Sequence, residues 1–307
     1  MRIASVTVAF DDFHKIDNWK KYYAVYRNEI DTHIIVDNGS SEEFRTLVKS
    51  EFTDSVILHR ADNGGVTAAY NLGIKYALQD SGIEAILLID ADIRLEQGAI
   101  SELYKCLGNK DVGFVAPILL RKDSTIVENY GCQITKALVY VQSDAGKQLT
   151  DVADDSRFVD GVPGGMNMGS RKLYTSIGYE DEKLFMYADE LDMAIRARKA
   201  GFKLCATKKA IAWHQHANFN GKSIRLPYVA YLSARNVLYI AKKHYGTRKA
   251  VSIFAVRFFK ALAWLFAKIV KLQFNQIKYP WYSMVGLVNG IRGDMSKNKY
   301  SVPFVIE

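Results

Sequence analysis

Cysteine is scarce in this chain. Cys106, Cys132 and Cys205 are odd in number, far apart and without zinc-ligand or redox spacing. That excludes a disulfide framework and points to a reducing, cytosolic setting. No Walker motif, G-x-G-x-x-G or H-E-x-x-H occurs, which removes the commonest phosphate, dinucleotide and zinc-protease signatures. Internal repeats and low-complexity tracts are absent. A strand pattern begins at Ile3, so no signal peptide is expected. No apolar run reads as long enough for a membrane span. Acid is scarce in the tail. From Lys242 onward 12 basic residues face only Asp294 and Glu307, a net of +10, whereas the remainder carries 29 basic and 31 acidic residues. A near-neutral body argues against nucleic acid as a partner, and a basic tail suits an anionic surface.

What is present is ordinary globular material, 307 residues with 49% hydrophobic and 24% charged. Such a chain can bury a large core. Up to Leu119, strand patterns (Ile3–Phe10, His33–Val36, Val56–His59, Ala85–Ile89, Val112–Leu119) alternate with helical ones (Ile16–Arg27, Glu42–Ser50, Val66–Leu78, Gln97–Leu107). That alternation predicts an α/β fold with a mostly parallel sheet flanked by helices. Beyond Lys122 the pattern loosens. Val127–Gln133 and Ala137–Gln142 read as strands of a small mixed extension, and Gly161–Gly169 reads as a loop. Asp189–Ala200 and Pro227–Lys243 read as helices, and beyond Gly246 the chain is helical, apolar and basic.

The strongest single motif is Ile86-Leu87-Leu88-Ile89-Asp90-Ala91-Asp92. A buried-strand pattern runs into two carboxylates that share one side of an extended chain. Ligands of open α/β sheets bind at such strand ends. Paired acids there suit a divalent cation held against a phosphate, though solvated or capping acids would look the same. Asp37-Asn38-Gly39-Ser40 ends another strand; its carboxylate can accept from a pyrimidine imide, or the segment is a plain turn and cap. Asn63-Gly64-Gly65 opens a helix, where backbone N–H groups suit a phosphate or nucleotide. The glycine-rich stretch from Gly161 through Gly165 and Met166 to Gly169 is open to close backbone approach by a ligand, or is a surface loop. Asp189, Glu190 and Asp192 begin a helix. They suit its dipole, and one can serve as a general base. Arg196 is placed to pair with Asp192. His214 and His216 follow a strand pattern, where a neutral imidazole can ligate manganese.

Taken together, the motifs from Val36-Asp37-Asn38-Gly39-Ser40 to Arg235-Asn236 resemble the family 2 glycosyltransferases of the GT-A fold, and within them the bacterial rhamnosyltransferase-like branch. Between those ends the resemblance is carried by Asn63-Gly64-Gly65, Asn71-x-Gly73, Asp90-Ala91-Asp92, Gly164-Gly165-x-x-x-Gly169, Phe185-Met186-Tyr187-x-Asp189-Glu190-x-Asp192-x-x-x-Arg196 and His214. It spans residues 3 to 245. It implies a catalytic domain over 1–245 and a basic helical extension over 246–307. It implies that Asp37, Asn63, Gly64, Asp90 and Ala91 bind a UDP- or dTDP-sugar donor. Asp92 and His214 would hold Mn2+ or Mg2+, and Gly165, Met166 and Asp192 would meet a saccharide or lipid-linked acceptor. Glu190 matches the catalytic base. The family usually has Glu-Asp here and this chain has Asp189-Glu190, so Asp189 stays a second candidate. The implied reaction is an inverting transfer in surface polysaccharide synthesis.

Two rival readings exist. A sugar nucleotidyltransferase resembles this fold but carries a glycine-rich basic loop after its first strand, where this chain has Phe10-Asp11-Asp12-Phe13. A non-catalytic saccharide-binding module leaves the clustered acids without a purpose. In the tail, a helix from Lys249 to Leu272 would gather Lys249, Arg257, Lys260, Lys268 and Lys271 on one side. Val251, Phe258, Phe259, Leu262, Leu265, Phe266, Ile269 and Val270 would lie largely opposite. The expectation is a protein peripheral to the inner face of the membrane through this helix, with an amphipathic helix packed on the domain as the alternative.

Overall fold

The computed structural model describes residues 2–109, 111–215 and 227–296. Its chain order is β1 (Ile3–Ala9), α1 (Ile16–Tyr26), β2 (Thr32–Asp37), α2 (Glu42–Glu51), β3 (Val56–His59), α3 (Gly65–Ala77), β4 (Ala85–Ile89), β5 (Ile93–Leu95), α4 (Ala99–Leu107) and β6 (Val112–Arg121). There follow β7 (Val127–Asn129), β8 (Cys132–Ile134), β9 (Tyr140–Gln142), β10 (Ser156–Val159), β11 (Met166–Ser170), α5 (Arg171–Ile177), α6 (Asp189–Lys199), β12 (Lys203–His214), α7 (Pro227–Tyr245), α8 (Thr247–Val270) and α9 (Lys278–Arg292).

Residue contacts divide the chain into two units. The first (1–135, 139–182 and 190–219) holds a mixed sheet in the order β10-β12-β6-β11-β4-β1-β2-β3, with β5 on β12 and β7 on β6. Strands β1 to β4 pair in parallel, as β12 does with β6, while β11 runs antiparallel between β4 and β6. Period-2 alternation sorts the apolar side chains. Ile3, Ile35, Leu87 and Ile89 face α1, α2 and α4 through Trp19, Phe44 and Leu103. Val6, Ile34, Ile86 and Leu88 face α3, α5 and α6 through Ile74, Leu173 and Ala194. Both faces are covered, so the strands read as continuous apolar runs. Gly73 lets α3 approach β1, because a Cβ there would meet Val6 Cγ1 at 2.3 Å.

The second unit (136–138, 183–189 and 220–307) is helical, with α7 packed on both α8 and α9. In this division α7 falls with α8 and α9.

Three readings of the sequence need correction. Gly161–Gly169 is not all loop, because Met166–Ser170 forms β11. Met166 and Met168 alternate into the core, but the flanking Gly164, Gly165 and Gly169 conceal the pattern. Val127–Gln133 is two strands, broken at Gly131, whose φ is +75°. The chain also has a span-length apolar helix after all: among the described residues α8 is long and apolar enough to cross a membrane.

Candidate active site

The parallel strands β1, β2, β3 and β4 end on one edge of the sheet. Ala9 lies in register with Asp37, and Asp37 with His59. Asp90 and Asp92 follow β4 directly. β12 then brings His214 beside them: it pairs with Ile93 of β5, and Gln215 N donates to Asp92 O at 2.8 Å. His214 Nε2 lies 3.7 Å from Asp92 Oδ1, and its Nδ1 lies 2.9 Å from Glu128 Oε1 on β7. A carboxylate behind an imidazole fixes the ring and turns the other nitrogen toward the site. Burial works against charge on His214, but Glu128, Asp92 and Asp90 together hold its pKa above the ordinary value. Lys15, in the turn after β1, places Nζ 3.3 Å from Asp92 Oδ2. Burial again opposes its charge, and Asp92, Asp12 and Asp90 outweigh it, raising its pKa.

Asp90 is half-buried. Its carboxylate accepts from Tyr70 Oη at 2.6 Å. Burial, and then the Asp92 charge, push its pKa up to about 6. Gly165 packs against it: Asp90 N donates to Gly165 O at 2.9 Å, and a Cβ at 165 would come 2.1 Å from Asp90 Oδ2. Gly165→Ala is therefore expected to dislodge the Asp90 carboxylate. Forcing a methyl into packed structure costs about 1–3 kcal/mol, which is about a five- to 150-fold loss of donor affinity if Asp90 meets the donor. Calorimetric titration with a nucleoside diphosphate checks this. Unchanged affinity would separate Asp90 from the donor.

Asp37 lies at the second strand end, 1% exposed. Its carboxylate accepts from Ser40 N at 2.9 Å and lies 2.9 Å from Arg45 Nε and 3.1 Å from His59 Nδ1. Beside it, Asn38 Nδ2 donates to Asn63 Oδ1 at 3.0 Å, while Gly64 N donates to Asn38 Oδ1 and Gly65 N to Asn63 Oδ1. The start of α3 is thus stitched to the end of β2. Gly39, at φ +85°, cannot be exchanged there, since a Cβ would meet Asp62 backbone at 2.4 Å.

Asp189 and Glu190 open α6, with Asp189 buried and Glu190 half-buried. The buried Cys132 thiol senses Glu190: burial, and then that charge, push its pKa up to about 12. Two candidate acceptor contacts lie elsewhere than expected. Met166 is fully buried in the core, paired with Ile89, and Asp192 is 0% exposed with Oδ2 accepting from Arg196 Nε at 2.8 Å. Arg196 also donates to the carbonyls of Ile177 and Tyr179, so Asp192 anchors the segment before α6. Ala91 is likewise 3% exposed with its side chain in the core, which leaves only its backbone for a donor. His216 lies outside the described residues.

Sequence reasoning missed Lys15, Arg45, His59, Tyr70 and Glu128. His59 and Lys15 were findable, because His59 ends a parallel strand and Lys15 lies in the turn after another. Nothing in the sequence marks Glu128, which reaches His214 only because β7 and β12 both pair with β6.

Acids and a histidine thus lie together at the carboxyl edge of this sheet. Residues 23–177 match the family model described as glycosyl transferase family 2. The chain belongs to that family and is a glycosyltransferase. It is 24% identical over 206 residues to the low-salt glycan biosynthesis hexosyltransferase Agl10 of Haloferax volcanii, covering 66% of this chain and 64% of that protein. It is 23% identical over 275 residues to the dTDP-rhamnosyl transferase RfbF of Shigella flexneri, covering 87% and 88% respectively. Among solved structures, GalNAc-T7 with UDP, GalNAc and Mn2+ superimposes with a TM-score of 0.60 at 11% identity, over 79% of this chain and 48% of that one. TarS 1-349 of S. aureus in complex with UDP-GlcNAc gives 0.52 at 12% identity, over 81% and 69%. These two likenesses concern the fold.

Proposed function

We propose that the protein is an inverting, metal-dependent transferase. It moves a sugar, with rhamnose a candidate, from a UDP- or dTDP-linked donor to a saccharide or lipid-linked acceptor in surface polysaccharide synthesis. The observation that carries this reading is the Asp92–His214 pair, backed by Glu128 at the strand ends. Its donor set fits Mn2+ or Mg2+: one carboxylate oxygen and one imidazole nitrogen lie 3.7 Å apart, within reach of one ion. No group of three or more His, Cys, Asp or Glu placed to hold a metal occurs among the described residues. Diphosphate oxygens of the donor would therefore complete the shell. A bound divalent ion offsets the charge that grows on the leaving nucleoside diphosphate.

The chain's own groups do the rest. Asp37, flanked by Arg45 and His59, reads the base. Asn63 and Gly64 hold the turn under the nucleotide, and Asp90 meets the ribose. Glu190 takes the proton of the acceptor hydroxyl as that oxygen attacks C1 opposite the leaving group, and one displacement inverts the anomeric centre. The relative named as a dTDP-rhamnosyl transferase supports a dTDP-linked donor, and the GalNAc-T7 complex with UDP and Mn2+ supports a UDP-linked one with manganese. A thermal-shift screen of UDP- and dTDP-sugars with and without Mn2+ tests the reading, since a ligand of the folded state raises the melting temperature. Metal-dependent stabilisation by at least one donor is expected. None by any donor would oppose the proposal.

The reading of the location is supported by α8. Its sides are the reverse of an ordinary packed amphipathic helix. Val251, Phe259, Leu262, Phe266, Ile269 and Val270 are exposed. Ala250, Ile253 and Ala261 are buried, Arg257 donates to the carbonyls of Ala137 and Leu138, and Lys268 donates to Gln273 and Gln276. The basic stripe is thus partly turned to protein, and Lys260 and Lys271 flank an outward apolar face. A helix so anchored lies along a surface rather than crossing a bilayer, so the reading is a cytoplasmic protein peripheral to anionic lipid. The full chain is expected to sediment with phosphatidylglycerol vesicles, less so at high salt. Phe259→Ser with Phe266→Ser should release it, because each Phe contributes about 1.5–3 kcal/mol when buried. Equal sedimentation of both proteins would remove the helix from membrane binding. Truncation near Gly246 is the poorer test, since it also strips α9 from α7.

A further inference from the structure

The segment entering α6 is held in an unfavourable backbone conformation. Phe185, Tyr187 and Ala188 have φ of +69°, +67° and +62°. Left-handed backbone is costly for side chains of this size and persists only where the surroundings impose it. The restraint comes from α7. Asn236, 0% exposed, donates Nδ2 to the carbonyls of Leu184, Met186 and Tyr187 at 2.9, 2.9 and 2.7 Å. Arg235, 1% exposed, donates Nη2 to Leu184 O at 3.0 Å and Nε to Asn236 Oδ1 at 3.0 Å. The second bond sets the amide orientation, leaving the two Nδ2 hydrogens to be shared among the three carbonyls. Around them Phe185 packs with Tyr231 and Leu232.

α7 is itself seated by α9. A Cβ on Gly286 would meet Tyr231 O at 2.3 Å, and one on Gly290 would meet Arg235 O at 2.4 Å. The two helices therefore touch backbone to backbone at the turns that carry Tyr231 and Arg235. Asn289 Nδ2 donates to Tyr231 Oη at 3.0 Å.

We propose that Asn236, oriented by Arg235 and seated through Gly286 and Gly290, is a positioning residue of the transferase: it holds Leu184–Ala188 in the strained form that aims the Asp189-Glu190 pair. Asn236 touches no substrate. Its amide supplies donors to three carbonyls of one short turn, and the chain leaves that turn directly into the two candidate bases. This rests on the reading that Asp189 or Glu190 is the base.

The test uses the full chain and begins with Glu190→Gln and Asp189→Asn, which establish whether the base reading holds. Asn236→Ala is then measured for transfer rate, donor KM and melting temperature. A folded variant whose kcat falls roughly a hundredfold, the cost of about 1 Å of misplacement, with donor KM unchanged, is expected. Adding Ala188→Gly should restore part of kcat, because glycine adopts positive φ without strain; a purely structural role gives no such recovery. If Asn236→Ala does not fold, Gly290→Ala carries the same test, since it presses on Arg235 without touching the turn. A folded Asn236→Ala with wild-type kcat, a loss shared equally by donor KM, or no recovery with Ala188→Gly overturns the proposal. If both carboxylate variants keep full activity, the base reading fails instead.

Discussion

Asp92→Asn is expected to lose about 10²–10³ in transfer rate, the usual effect of removing one group that stabilises charge in the transition state. The amide is a poor ligand for a hard cation. Two further features make Asp92 hard to replace. Its Oδ1 lies 3.7 Å from His214 and its Oδ2 3.3 Å from Lys15, so it sits between an imidazole and an ammonium. Its neighbour Asp90 is drawn to Tyr70 and cannot take over without breaking that bond. The rate should fall while the melting temperature stays near wild type, and excess chelator should reproduce the loss in the unmodified protein. Full activity of the variant, or of the wild type in chelator, would rule out metal dependence.

Glu190→Gln is expected to lower the rate by about 10²–10⁴, the range for a positioned general base, with donor binding kept. The half-buried Glu190 carboxylate is near enough to the Cys132 thiol to raise its pKa, and it follows the strained turn held by Asn236. Asp189 is 7% exposed at the first position of α6, so the expected cost of Asp189→Asn is smaller. Single-turnover transfer rates separate the two. A larger loss for Asp189→Asn would assign the base to Asp189 and explain the reversed Asp-Glu order as a true exchange of roles.

The α/β core was legible because parallel strands covered on both faces are continuous apolar runs, and Ala85–Ile89 matched its strand residue for residue. The Asp90-Asp92 motif was legible for the same reason, since it ends such a run. β11 was not. Gly169 within it is crowded by Tyr174 and Phe114, and Gly165 just before it by Asp90, so neither has room for a Cβ, and glycine erases the alternation that marks a strand. Met166 and Asp192 were misjudged as acceptor contacts because motif position does not say which way a side chain points. Arg235-Asn236 showed in the sequence only as a pattern. Their work on Leu184–Tyr187 spans about fifty residues and depends on how α7 packs with α9. The direction of the α8 faces was hidden too, because an amphipathic pattern does not tell which side meets protein.

The most direct measurement is transfer itself. The full chain is incubated with a UDP- or dTDP-sugar selected by thermal shift, with Mn2+ and a saccharide or lipid-linked acceptor, and the products are followed by NMR. The expected result is nucleoside diphosphate released in step with a glycoside whose anomeric configuration is opposite to the donor's, and none of either in excess chelator. A glycoside of retained configuration, transfer that persists in chelator, or pyrophosphate released from a nucleoside triphosphate and a sugar phosphate would contradict it.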